Sequence, residues 1–228
     1  MSGIDMSEIL SAVIQAIGTI SAAIIAAVFA NIIVKKHSPS YFHSYEDKHH
    51  NLTDITRKAK NDIFIVAAIG GNLIERYIDE FEKYLQRGIE IKYLILDNKY
   101  IYVLEKYLHG ENFPEFEEAV RVARERLRKL ENEYPDLFEV REFHSFFTAS
   151  YIGIDIWKTP DDYSDSRNSV IQTMLYQYNI GTEKSPITYI SPKNDYKQYQ
   201  TTVKSMKEMW NDSDDIFLAD KMAGRQNK

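Results

Sequence analysis

From Ile9 to Val34 the chain runs for 26 residues without an Asp, Glu, Lys or Arg. As a helix this stretch would be about 39 Å long at about 1.5 Å per residue, enough to cross a hydrocarbon core of about 30 Å with room to tilt. A cleaved signal peptide needs a basic leader and a shorter apolar core, whereas Asp5 and Glu8 precede this one. A buried core helix with no charged face would need a large domain around it, which the rest of the 228 residues cannot comfortably supply. The sequence therefore predicts one transmembrane helix over 9–34, preceded by an extracytoplasmic N-terminus, 1–8. Lys35, Lys36 and His37 follow directly, so the positive-inside rule puts the remainder in the cytoplasm of a single-pass cell-membrane protein.

Within that helix, Gly18, Ala22, Ala26 and Ala30 form an i, i+4 ridge of small residues, the pattern that lets helices approach closely. Ser11, Gln15 and Thr19 form a second, polar line in its outer half, and such groups in lipid usually face a partner helix or water. Both point to a homo-oligomer, at least a dimer. The competing explanation is composition alone, since alanine is common in membrane helices.

Residues 35–60 read as a membrane-proximal linker ending in a short helix from Leu52 to Lys60. His37, His43, His49 and His50 lie in it without regular ligand spacing, which favours a solvated linker over a metal site. The chain has no cysteine, which excludes disulfides and thiolate metal sites. Its net charge of −6 argues against direct nucleic-acid binding, because neutralising phosphates takes a basic surface.

Residues 61–211 read as one α/β domain. Asp62 to Ala68 is a β-rich apolar run ending in Gly70 and Gly71, and Asn72 with Glu75 forms a capping-box pattern. Ile74, Ile78, Phe81 and Leu85 give the following helix one apolar face, Gly88 stops it, and Ile89 to Leu96 is a second strand, completing a βαβ unit. Helices are expected over Lys99 to Leu108 and Glu115 to Glu133, the latter with Phe116, Val120, Ala123, Leu127 and Leu130 inward and Pro135 beyond its end. Its Arg121, Arg124, Arg126, Arg128 and Lys129 alternate with Glu117, Glu118, Glu125 and Glu131, which favours a solvated face over a membrane or nucleic-acid surface. Strands follow at Phe138 to Phe143, Ser150 to Ile156, Val170 to Tyr178 and around Tyr189. An amphipathic helix from Tyr196 to Asn211 closes the domain through Tyr199, Val203, Met206 and Trp210, and 212–228 reads as a disordered tail.

The succession of a strand ending in small residues, a helix, Arg87 and Gly88 leading into the strand that ends at Asp97, a long helix, the strand Phe138 to Phe143, a strand ending in Asp155, and a last helix with Met209, Trp210 and Asn211 resembles the phospholipase D-like superfamily. The resemblance implies an α/β fold with a mixed sheet flanked by helices. It also implies a motif His-x-Lys-x-x-x-x-Asp, in which histidine is the nucleophile and lysine binds the phosphoryl oxygens. Counted back from Asp155, those places are held by Thr148 and Ser150, and no second motif occurs. His144 lies four residues too early and could substitute only through a strand bulge. A pseudoenzyme without catalytic residues or cofactor is the expectation. Gly70 and Gly71 at a helix start, with Arg141, His144 and Lys158, are the candidates for an anion-binding cleft, a set that reads equally well as turn glycines and surface cations.

The whole chain is similar to transmembrane effectors of prokaryotic antiviral defence, including those of short Argonaute systems. That resemblance implies activation by a protein trigger such as an Argonaute-containing complex, binding to anionic phospholipid, and membrane depolarisation leading to abortive infection. Two other readings stay open: a Rossmann-like membrane receptor for cyclic oligonucleotides in a CRISPR system, and a membrane-tethered phosphodiesterase.

Overall fold

A computed structural model describes residues 52–68, 71–109, 116–158, 168–181 and 184–216. The predicted transmembrane helix, its two residue lines, most of the linker, Gly70 and the last twelve residues lie outside that set. Among the described residues no helix is long and apolar enough to cross a membrane.

The centre of the domain is set by two strands that are apolar on both faces. β1 (Asp62–Ala67) and β2 (Glu90–Leu96) pair in parallel, Asp62 beside Glu90 and Ala67 beside Ile95. A strand with no polar face must be covered twice. Ile63 and Ile65 of β1 and Ile91, Tyr93 and Ile95 of β2 point into one cluster, with Leu73, Ile74, Phe81 and Leu85 of α2 (Gly71–Gln86). Phe64 and Val66, with Leu94 and Leu96, point into the other, against α3 (Asn98–His109) and α5 (Tyr196–Asn211). α4 (Phe116–Glu133) reaches the second cluster through Val120 and the first through Leu127 and Leu130. The result is a three-layer arrangement of helices, sheet and helices.

α2 ends where the sequence places its stop: Gly88 takes a φ of +78°, and the Ile89 amide donates to the Tyr84 carbonyl at 3.0 Å. α5 begins at Asp195, whose carboxylate accepts from the Gln198 amide at 2.9 Å, a cap worth about 1 kcal/mol. The four residues expected to face inward from α5 are all buried.

β3 (Phe138–Phe143) joins β2 in parallel. β4 (Ala149–Ile154) then inserts antiparallel on the other side of β1, followed outward by β5 (Val170–Leu175) and β6 (Ile187–Ile190). With β7 (Asp214–Asp215) the seven-stranded mixed sheet has the order β6-β5-β4-β1-β2-β3-β7.

Two boundaries differ from the sequence reading. The segment expected as linker already belongs to the domain at α1 (Leu52–Thr56): the Thr56 hydroxyl meets the Tyr84 hydroxyl at 2.8 Å, and Ala59 is buried in the first cluster. The segment expected as tail returns to the sheet, since β7 pairs antiparallel with β3, Glu142 beside Asp214 and Arg141 beside Asp215. A two-residue strand carries no periodicity, and its place is set by the free edge of β3.

Candidate functional site

β4 carries the stretch that resembles the phosphodiesterase motif, and its register fixes where each position falls. Tyr151 lies beside Val66 and Ile154 beside Ile63, so Thr148 is at the outgoing end of β1 and Asp155 at its incoming end. Thr148 is exposed and Ser150 half-buried. A threonine and a serine here supply neither an imidazole to attack phosphorus nor a cation to hold phosphoryl oxygens.

Asp155, directly after β4, is held by backbone amides. Its carboxylate accepts from the backbone N–H groups of Lys60, Asn61 and Asp62, the shortest at 2.7 Å. Asp62 answers with a carboxylate that accepts from the amides of Ile156, Trp157 and Lys158 at 2.9, 2.8 and 3.1 Å. The two carboxylates thus cap each other's strand ends where β1 begins and β4 finishes. Burial pushes Asp62 above the ordinary carboxylate range, and the Asp155 charge adds to this against the three amides that pull the other way. Asp155 sits at a φ of +53°, in the left-handed region that Asp tolerates better than most residues. Its role is structural bracing.

The cations grouped by the sequence reading do not converge. Lys158 lies at the incoming edge, where its Nζ meets Glu90 Oε2 at 3.0 Å. Arg141 lies along β3, donating from Nε to Glu139 at 2.8 Å and from Nη1 to the Trp210 carbonyl at 3.3 Å, with its guanidinium 4.8 Å from the Trp210 ring centroid. His144 follows β3 at the opposite, outgoing edge. It cannot stand in for a β4 nucleophile, because β1 and β2 separate the two strands by three steps of about 4.8 Å. Gly71 opens α2 after β1. Of the five residues expected to line one anion cleft, Arg141 meets Glu139, Lys158 meets Glu90 and His144 meets Asp97 and Asp214, while Gly70 lies outside the described residues.

Two groupings were missed. Lys92, buried on β2, places its Nζ 4.8 Å from the Trp157 ring and 4.7 Å from the Trp210 ring, with Glu90 at 3.2 Å and Glu139 at 3.1 Å. Phe64 meets both tryptophans edge-on. Burial alone would raise Glu139, but Lys92 and Arg141 beside it prevail and hold it below its ordinary range. The signal in the sequence was a lone lysine at an inward position of an otherwise apolar strand.

The second grouping is at the outgoing edge. Asp97 ends β2 and accepts from the Lys99 amide at 2.8 Å as α3 begins. Its other oxygen lies 3.0 Å from His144 Nδ1, and His144 Nε2 lies 3.1 Å from Asp214 Oδ2 on β7. Glu142 stands beside them, paired with Arg124 of α4. Ligand atoms of Asp97, Glu142 and His144 fall within 4.8 Å of one another. His144 is already engaged by Asp97 and Asp214, and Glu142 by Arg124, so the cluster does not by itself define a metal centre. Ligands of open α/β sheets sit outside the carboxyl ends of parallel strands, which is this edge. Arg121, by contrast, pairs within α4 with Glu118 and Glu125, as a solvated face should.

The class that the fold defines is a three-layer α/β domain with a seven-stranded mixed sheet. No family model and no curated protein matches the chain. Among solved structures it is similar to TrmBL2, described as an archaeal chromatin protein with a novel mode of DNA binding, at 13% identity and a TM-score of 0.50, covering 93% of this chain and 67% of that one. At such identity the likeness concerns the arrangement of elements alone.

Proposed function

We propose that this chain is a membrane effector of a prokaryotic immune system, in which a non-catalytic, phospholipase D-like cytoplasmic domain controls the assembly of an N-terminal membrane helix. The observation carrying this reading is that Thr148, just before β4, and Ser150, within it, stand at the positions where the resemblance would need histidine and lysine, while 9–34 has more small and polar residues than anchoring requires. On this reading a protein trigger, such as an Argonaute-containing complex, changes the association of the domains. The ridge of Gly18, Ala22, Ala26 and Ala30 then packs copies of the helix together, and the bilayer, rich in anionic phospholipid, is depolarised.

The test is induced expression with a potential-sensitive dye. Gly18→Leu with Ala22→Leu should insert normally and lose depolarisation, because the added side chains fill the gap between helices. A helix of plain leucines and alanines between the same flanks that keeps full activity would reduce the segment to an anchor. The parallel β1–α2–β2 crossover also favours a second reading, a cyclic-oligonucleotide receptor. Saturable binding of such a nucleotide by the purified chain would move the assignment there, and phosphodiester hydrolysis lost on changing β4 would move it to an enzyme.

A further inference from the structure

The His144 contacts demand more protons than a neutral imidazole carries. Both ring nitrogens lie at hydrogen-bond distance from a carboxylate, Asp97 at 3.0 Å and Asp214 at 3.1 Å. An ionised carboxylate only accepts, and a neutral imidazole donates from one nitrogen only, so both bonds form together only on the imidazolium. Asp97 is fixed to the body of the domain by its bond from the Lys99 amide. Asp214, in contrast, belongs to a strand of two residues and is itself exposed.

We propose that His144 is a proton-dependent clasp that holds the C-terminal strand β7 on the edge of β3, so that losing its proton frees that edge. The strand is short: it makes two register pairs with β3, and Ser213 upstream donates from its hydroxyl to the Trp210 carbonyl at 2.6 Å. Ile216, just beyond, is only partly buried against the first cluster. The charged groups facing the imidazole from its surroundings are Asp97 at the end of β2, Glu142 on β3, Arg124 on α4 and Asp214 on β7. Three are acidic, and the one cation among them is already committed to Glu142. The hydrogen bond to Asp97 raises His144 above its ordinary 6.5 against the opposing effect of burial, with the Asp214 hydrogen bond and then the Glu142 and Asp97 charges adding to it. The hydrogen bond from His144 in turn lowers Asp97.

The signs define a window. A histidine raised in the folded state gives its stabilisation fully below its ordinary value and loses it as pH climbs through the raised one. A lowered aspartate gives its share above its ordinary range and loses it as pH falls through the lowered value. The clasp is closed between these limits. On its alkaline side the edge of β3 at Arg141 and Glu142 loses its strand partner, and an unpaired edge is the template on which another strand adds. The clasp stands whether or not the chain acts at a membrane.

Amide hydrogen exchange on the full chain in mild detergent, from about pH 5.5 to about pH 8.5, spans the histidine range. After correction for intrinsic exchange, the amides of Asp214, Asp215 and their β3 partners should lose protection several-fold as pH rises, while the amides of β1 stay unchanged. In His144→Gln, which cannot titrate, the same amides should show one protection level throughout. A wild-type profile that is flat, or that His144→Gln reproduces, overturns the clasp. Asp214→Asn gives an independent reading through the NMR titration of the His144 ring: its midpoint should fall towards 6.5. An unmoved midpoint shows that Asp214 is no partner and overturns the proposal even if the glutamine variant folds poorly.

Discussion

A carboxylate that accepts from consecutive backbone amides contributes more to a fold than its share of surface implies, because removing it orphans every donor at once. Asp155 serves three such amides, at Lys60, Asn61 and Asp62, from a backbone conformation that penalises most other side chains. Asp155→Ala should therefore cost about 2–4 kcal/mol in a urea titration, the sum of lost charge-assisted hydrogen bonds and left-handed strain. Asp155→Asn, which keeps an acceptor and tolerates the left-handed region, should cost less than half of that. If Asp155 did not brace the fold, both changes would leave the midpoint in place. The Lys92 cage offers a second residue-scale reading, since Trp157 and Trp210 are the chain's two tryptophans. Lys92→Met should shift tryptophan emission and lower stability by about 1–2 kcal/mol, the scale of a desolvated cation–π contact. Unchanged emission would place the ammonium elsewhere.

Elements were legible where their pattern is local. The 3.6-residue spacing of Tyr199, Val203, Met206 and Trp210 announces α5 within its observed bounds, and the doubly apolar runs of β1 and β2 announce central strands. β7 was not legible, because two aspartates have no period and no apolar side; their place follows from which edge is open. The edge cluster was hidden for a related reason. Asp97 and His144 are 47 positions apart and meet only because β3 pairs with β2, a fact of strand order that spacing along the chain does not contain. Nearness in sequence likewise grouped Lys158 with His144, whereas Lys158 meets Glu90 at the start of β2 and His144 meets Asp97 just past its end. On β4, Gly153 is needed for closeness. A Cβ there would meet Ile156 Cδ1 at 2.2 Å and Cγ1 at 2.8 Å, and Ile156 is fully buried. Gly153→Ala should destabilise by about 1–3 kcal/mol, read as a fall in melting temperature, with a neutral result showing that Ile156 can swing aside.

At the scale of the molecule, the proposed topology follows from charge: acidic residues before 9–34 and Lys35 and Lys36 after it. A reporter fused after Lys228 should be active in the cytoplasm and silent in the periplasm, and the reverse pattern would invert the proposal. The reciprocal caps of Asp62 and Asp155 then acquire a mechanical meaning. The chain enters the sheet at β1, a strand held on one side by β2 and on the other by β4, and its first residues are bolted by Asp155. Tension applied along β1 would load both ladders in shear, so that many hydrogen bonds resist together instead of parting one by one. A strand bolted in this way would answer a pull or a twist together with its sheet, as one stiff body.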